Sequence, residues 1–99
     1  MATRRFRISA RVSSDSPKTV KPVLEKAVGK ASVTEANGEF LVEAEMEGDS
    51  AKDLNRSLLS ALRKVEKKTR LRAEWTADDG TIERYFDYVL KKTIKKGAS

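Results

Sequence analysis

The chain has 99 residues, 38% of them hydrophobic and 36% charged, with 21 Lys and Arg against 15 Asp and Glu for a net charge of +6. This length supports one domain with a modest core, no apolar run approaches the ~20 residues of a membrane span, and no secretory leader is expected ahead of the first strand. With no cysteine and no histidine, disulfides, thiolate metal sites, cysteine nucleophiles and the usual neutral-pH base drop out together, so the sequence predicts no catalytic site, no metal and no cofactor.

Residues 5–12 alternate strictly, which predicts a strand with Phe6, Ile8, Ala10 and Val12 inward and Arg5, Arg7, Ser9 and Arg11 outward. A turn-rich break at residues 13–17 leads into a helix with Val20, Val23, Leu24, Ala27 and Val28 on one face and Gly29 as its stop. Proline inside a helix costs roughly 3 kcal/mol, so Pro22 predicts a late start capped at Thr19. Asn37-Gly38 lies between two alternating runs and signals a two-residue type I′ hairpin. Pairing outward from it sets Val33 beside Val42 and Ala31 beside Ala44 on one face. The other face receives Thr34 with Leu41, Ser32 with Glu43 and Lys30 with Glu45.

Ser50, with Asp53 three residues on, caps a second helix. Its apolar stripe is read as Leu54, Leu58, Ala61, Leu62 and Val65, with Leu59 on the flank, and Lys67 and Lys68 complement the negative end of its dipole. Leu71, Ala73 and Trp75 alternate with Arg70, Arg72 and Glu74 in a fourth strand. Two readings stay open for residues 81–90. Ile82, Tyr85, Phe86, Val89 and Leu90 fit a helix face, whereas Ala77-Asp78-Asp79-Gly80 is a good hairpin turn and the β-branched and aromatic residues beyond it favour a fifth strand. A four-residue loop there pairs Trp75 with Ile82, Leu71 with Phe86 and Arg70 with Asp87. Residues 91–99 read as a frayed or helical basic tail.

The order strand, helix, strand, strand, helix, strand predicts one α+β domain over residues 1–99, a ferredoxin-like split βαβ sandwich (βαββαβ) with a C-terminal extension, either a fifth strand or a third helix. A sheet order of 4-1-3-2 sets strand 1 against strand 3 and faces Arg5, Arg7 and Arg11 toward Glu43, Glu45 and Glu47. Such opposite charges stabilise neighbouring strands by about 0.2–1 kcal/mol per pair.

Charge is segregated along the chain. Residues 1–30 sum to +6, residues 35–53 to −6 and residues 54–72 to +6. Basic clusters of this kind attract polyanions through long-range fields. An RRM-type surface needs outward aromatics on strands 1 and 3, but Phe6 and Phe40 fall on the inward face and Glu43, Glu45 and Glu47 on the outward one. Phosphate contact is therefore assigned to Arg56, Arg63, Lys64, Lys67, Lys68 and Arg70. Tyr85, Phe86 and Tyr88, with Trp75 nearby, either close the core at a sheet edge or offer a partner interface through Tyr85 and Tyr88.

The run Phe40-Leu41-Val42-Glu43-Ala44-Glu45, followed by Asp49-Ser50 and a helix containing Leu59-Ser60-Ala61-Leu62-Arg63, resembles the small dimerising subunit of the KEOPS complex, which modifies transfer RNA. That family carries an Asn-Ser-x-Leu-Arg segment in its second helix after a similar acidic loop. Here Leu59 stands in place of the Asn, the loop is one residue longer, and the chain from Thr81 on is additional. The likeness spans residues 5–66. It implies a non-catalytic dimer that bridges larger enzyme subunits and helps to hold transfer RNA, with Ser60, Leu62 and Arg63 at partner contacts. The sequence thus predicts a cytoplasmic, non-enzymatic interaction subunit of an RNA-processing or translation-linked assembly, with electrostatic contact to structured RNA. Its expected partners are RNA, other protein subunits and a second copy of the chain, and no membrane. The alternative is a small dimeric regulatory or ligand-binding ferredoxin-like domain.

Overall fold

The computed structural model describes residues 4–94. Its elements are β1 (Arg4–Ser13), α1 (Pro17–Val28), β2 (Val33–Ala36), β3 (Glu39–Gly48), α2 (Ala51–Val65), β4 (Arg70–Ala77), β5 (Ile82–Phe86) and β6 (Val89–Ile94). The strands form one antiparallel sheet in the order β2-β3-β1-β4-β5-β6. Strand makes up about 47% of the described chain. The expected ferredoxin-like sandwich is overturned: this is a sheet-rich α+β fold of six strands and two helices. The cause is the hairpin β5–β6, which extends the sheet beyond β4. The two helices cannot cover so wide a sheet, and β6 is exposed along nearly its whole length.

The third-helix reading of residues 81–90 fails with it, because that segment supplies β5 and the start of β6. Residues 91–94, expected as the start of a basic tail, are paired strand. Lys95 and Lys96 lie outside the described residues.

Alternation in β1 places Phe6, Ile8, Ala10 and Val12 in the core, joined by Phe40 and Val42 of β3 and Leu71, Ala73 and Trp75 of β4. Val20 and Leu24 of α1 and Leu58, Leu59 and Leu62 of α2 pack against them. Each such large side chain contributes roughly 1.5–3 kcal/mol by leaving water. Helix α1 begins at Pro17 with Ser16 as N-cap, not at Thr19, so Pro22 sits inside it. Pro17 in the first turn, where a missing N–H is free of cost, starts the helix early. The buried stripe of α2 is Ala51, Asn55, Leu58, Leu59 and Leu62, while Val65 is exposed. The helix is therefore turned from the expected stripe toward Leu59 and Asn55.

Asn37 and Gly38 both take positive φ, +52° and +78°, as a type I′ turn requires. The pairs Val33–Val42 and Thr34–Leu41 form in the expected register. Pairing stops there, because residues Lys30–Ser32 coil into a 3₁₀ turn on leaving α1, with the Ser32 N–H donating to the Gly29 carbonyl. Ala31–Ala44, Ser32–Glu43 and Lys30–Glu45 consequently do not pair.

The β4–β5 register differs from expectation by one residue. Thr76 pairs with Ile82, Ala73 with Tyr85 and Arg72 with Phe86. The loop has three residues, Asp78-Asp79-Gly80, because Gly80 at φ +89° lets the Ala77 N–H donate to the Thr81 carbonyl at 2.8 Å. Asp79 Oδ1 accepts from the Thr81 N–H at 2.9 Å, and that bond holds the Asp79 carboxyl below its ordinary pKa. A slip of one residue exchanges the faces of a strand. Tyr85 thereby enters the core, and Phe86 moves to the uncovered side of the sheet.

Candidate nucleic-acid interface

Helices cover one side of the sheet, and the other is built from the outward residues of β1, β3, β4 and β5 in rows fixed by the register. At one end the rows alternate in sign. Arg5 faces Glu47 at 3.3 Å and Arg7 faces Glu45 at 3.7 Å; Arg4, on the Phe6 side of β1 and over that ring, reaches Asp78 and Asp79 at 3.8 and 3.7 Å. In the next row the Ser9 hydroxyl donates to Glu43, and Arg84 pairs with Glu74 at 2.7 Å.

At the other end the pattern breaks. Arg11 lies directly between Leu41 of β3 and Arg72 of β4. Like charges directly opposite each other destabilise a sheet. Neither arginine forms an ion pair among the described residues. Arg72 instead sets its guanidinium over the Phe86 ring, 4.8 Å from the centroid. Around these residues runs a groove of about 470 Å³ whose charged lining is Arg11, Arg72, Arg84 and Lys91 against Glu43 and Glu74. A second groove, of about 890 Å³, is lined by Arg63, Lys67, Lys68 and Arg70 against Asp15 and Asp87. Phe86 lines both grooves.

The far side of the sheet holds Phe86 in place. Asp87, at φ +57°, turns the chain from β5 into β6. Its N–H donates to the Leu71 carbonyl at 2.7 Å, and its Oδ1 accepts from the Leu71 N–H at 2.9 Å. Asn55, 1% exposed, donates from Nδ2 to the Asp87 carbonyl at 2.7 Å and accepts from Trp75 Nε1 at 3.2 Å. Arg63 completes the lock: it pairs with Asp87 Oδ2 at 3.4 Å, donates from Nε to the Thr69 carbonyl at 2.9 Å, and lies over the Tyr88 ring. The buried Tyr85 phenol donates to Glu83 Oε1 at 2.9 Å. Burial, aided by that bond and by the charges of Glu83 and Asp53, raises its pKa to about 12.

Of the residues assigned to phosphate, Arg63, Lys67, Lys68 and Arg70 converge on one groove. Arg56 and Lys64 do not join them. Arg56 lines a separate small groove with Lys52, Asn55, Ser60 and Tyr88, and Lys64 is exposed on α2. Lys68 approaches Asp15 at 3.8 Å, and Arg63 is committed to the β5–β6 turn, so Lys67 and Arg70 are the cations of this group without an ion pair among the described residues. No known protein family, curated protein or solved structure matches the chain.

Of the residues assigned to partner contact, Leu62 and Tyr85 are used by the core, at 0% and 5% exposure: Leu62 stays on the apolar stripe of α2, and Tyr85 turns inward with the shifted β4–β5 register. Ser60 and the exposed Tyr88 remain at the surface and bond to each other at 3.2 Å. The residues missed by sequence reading are Arg11, Arg72 and Phe86. For Arg11 a signal was present in β3, where positions 39, 43, 45 and 47 are glutamate and position 41, its cross-strand partner, is leucine; Arg72 and Phe86 join it only through the β1–β4 and β4–β5 registers.

Proposed function

We propose that this chain is a non-enzymatic interaction subunit of an RNA-processing or translation-linked assembly, and that it holds RNA phosphates along the strip formed by Arg11, Arg72, Arg70 and Lys67. The observation that carries this reading is the direct opposition of Arg11 and Arg72 without a carboxylate partner among the described residues. An arrangement that costs stability in the free chain is offset when an anion lies between the two cations. Arginine stays protonated at any physiological pH, which suits holding charge rather than moving protons. Of the neighbouring carboxylates, Glu74 is neutralised by Arg84, while Glu43 accepts from the Ser9 hydroxyl and keeps its charge. The open sides of the edge strands β2 and β6 supply places for protein subunits or a second copy.

A ligand-binding role is the second reading, favoured by the 470 Å³ of the smaller groove, a volume within the range of small-molecule sites. Fluorescence anisotropy of labelled transfer RNA across a salt series tests the first. Affinity whose logarithm falls linearly with log salt supports phosphate contact. Absence of binding at low salt overturns it.

A further inference from the structure

The phosphate strip has an aromatic ring at its centre, and the position of that ring says which form of RNA fits. The chain holds three Phe, two Tyr and one Trp. Phe6, Phe40, Trp75 and Tyr85 are buried, and Tyr88 lies under Arg63 beside α2. Phe86 is the aromatic on the uncovered side of the sheet, half-buried and paired across β4 with the outward Arg72.

We infer that Phe86 and Arg72 form a stacking site for an unpaired base, so that the RNA held by this strip is single-stranded where it crosses β4 and β5. The inference rests on the RNA reading above. Bases splayed from a single strand stack on aromatic rings and on guanidinium planes alike, and here the two already lie one over the other at 4.8 Å. The place of Phe86 in the lining of both grooves adds the second argument. A base seated there leaves its flanking phosphates toward Lys67 and Arg70 on one side and toward Arg11 and Lys91 on the other. In an A-form duplex the bases are stacked on one another and their faces are closed to a side chain. A duplex therefore reaches the cations and not the ring. Nothing in this arrangement reads base identity, since every base has a face to stack.

The experiment measures anisotropy of one 12-nucleotide RNA, as a single strand and as a duplex, against the full chain and Phe86→Leu. The expected result is a single-strand preference of about tenfold or more that Phe86→Leu abolishes while the salt dependence stays the same. Phe86→Trp supplies a second readout that does not depend on the leucine variant folding. Its fluorescence is expected to be quenched by the single strand and unchanged by the duplex, against a buried Trp75 background. Equal binding of both forms with no effect of Phe86→Leu, or an unquenched Phe86→Trp, overturns the stacking site and leaves the phosphate reading intact. Failure of the unmodified chain to bind either form at low salt overturns both.

Discussion

The two ends of the open sheet face are made of the same residue types and behave oppositely. At the end holding Arg5 and Arg7, every outward arginine of β1 meets a glutamate of β3 across the ladder. At the end holding Arg11, the corresponding β3 position is Leu41, and the neighbour on β4 is another arginine. One apolar residue in a row of glutamates thus separates a self-neutralised surface from one that presents charge outward. Net charge alone would not distinguish the ends, because a fixed register decides which charges cancel.

The basic end also depends on the far side of the sheet, and the largest effect on stability is expected there. Asn55→Ala leaves the buried Trp75 N–H and the Asp87 carbonyl without partners, and it should cost about 1–3 kcal/mol in chemical denaturation. RNA affinity should fall with it, because the turn that positions Phe86 loosens. Leu41→Glu tests the comparison itself by setting a carboxylate beside Arg11. It should reduce RNA affinity by about tenfold, with stability equal to or up to about 1 kcal/mol above that of the parent.

An alkaline titration probes the β5 anchor. The Tyr85 pKa is raised in the folded chain, from 10.0 to about 12. The stabilisation linked to its protonation is therefore full below pH 10 and lost as pH rises toward 12. Thermal melts should show that loss, and Tyr85→Phe should flatten it. At the paired end Glu45→Gln should change least, by at most about 1 kcal/mol in stability and with little effect on RNA affinity.

Local patterns were legible where backbone geometry follows directly from residue type. Strict alternation in β1 and the Asn37-Gly38 turn led to the observed strand and to the first two β2–β3 pairs. The fold as a whole was not legible. The ferredoxin-like expectation stopped at four strands and one extension, because Asp87-Tyr88 does not resemble a hairpin turn. Asp87 is held at positive φ by Leu71 and Asn55, which are distant in sequence. The same distance hid the site. Whether Asp78-Asp79-Gly80 closes a three- or four-residue loop decides which face Phe86 occupies, and the answer came from the Ala77–Thr81 bond. Of the phosphate candidates, the α2–β4 lysines could be read from charge runs, whereas Arg11 and Arg72 become neighbours only through the β1–β4 register.

The central claim is that cations at the two ends differ in availability though not in kind. The most direct test compares Arg11→Gln/Arg72→Gln with Arg5→Gln/Arg7→Gln, two double variants that lower the net charge equally, by RNA affinity across a salt series. The account predicts that the first loses affinity and flattens the log–log salt slope by about 1.4, from roughly 0.7 for each of two single-strand phosphate contacts, while the second keeps the parent slope. Equal losses from both pairs would show that only net charge matters and would contradict it.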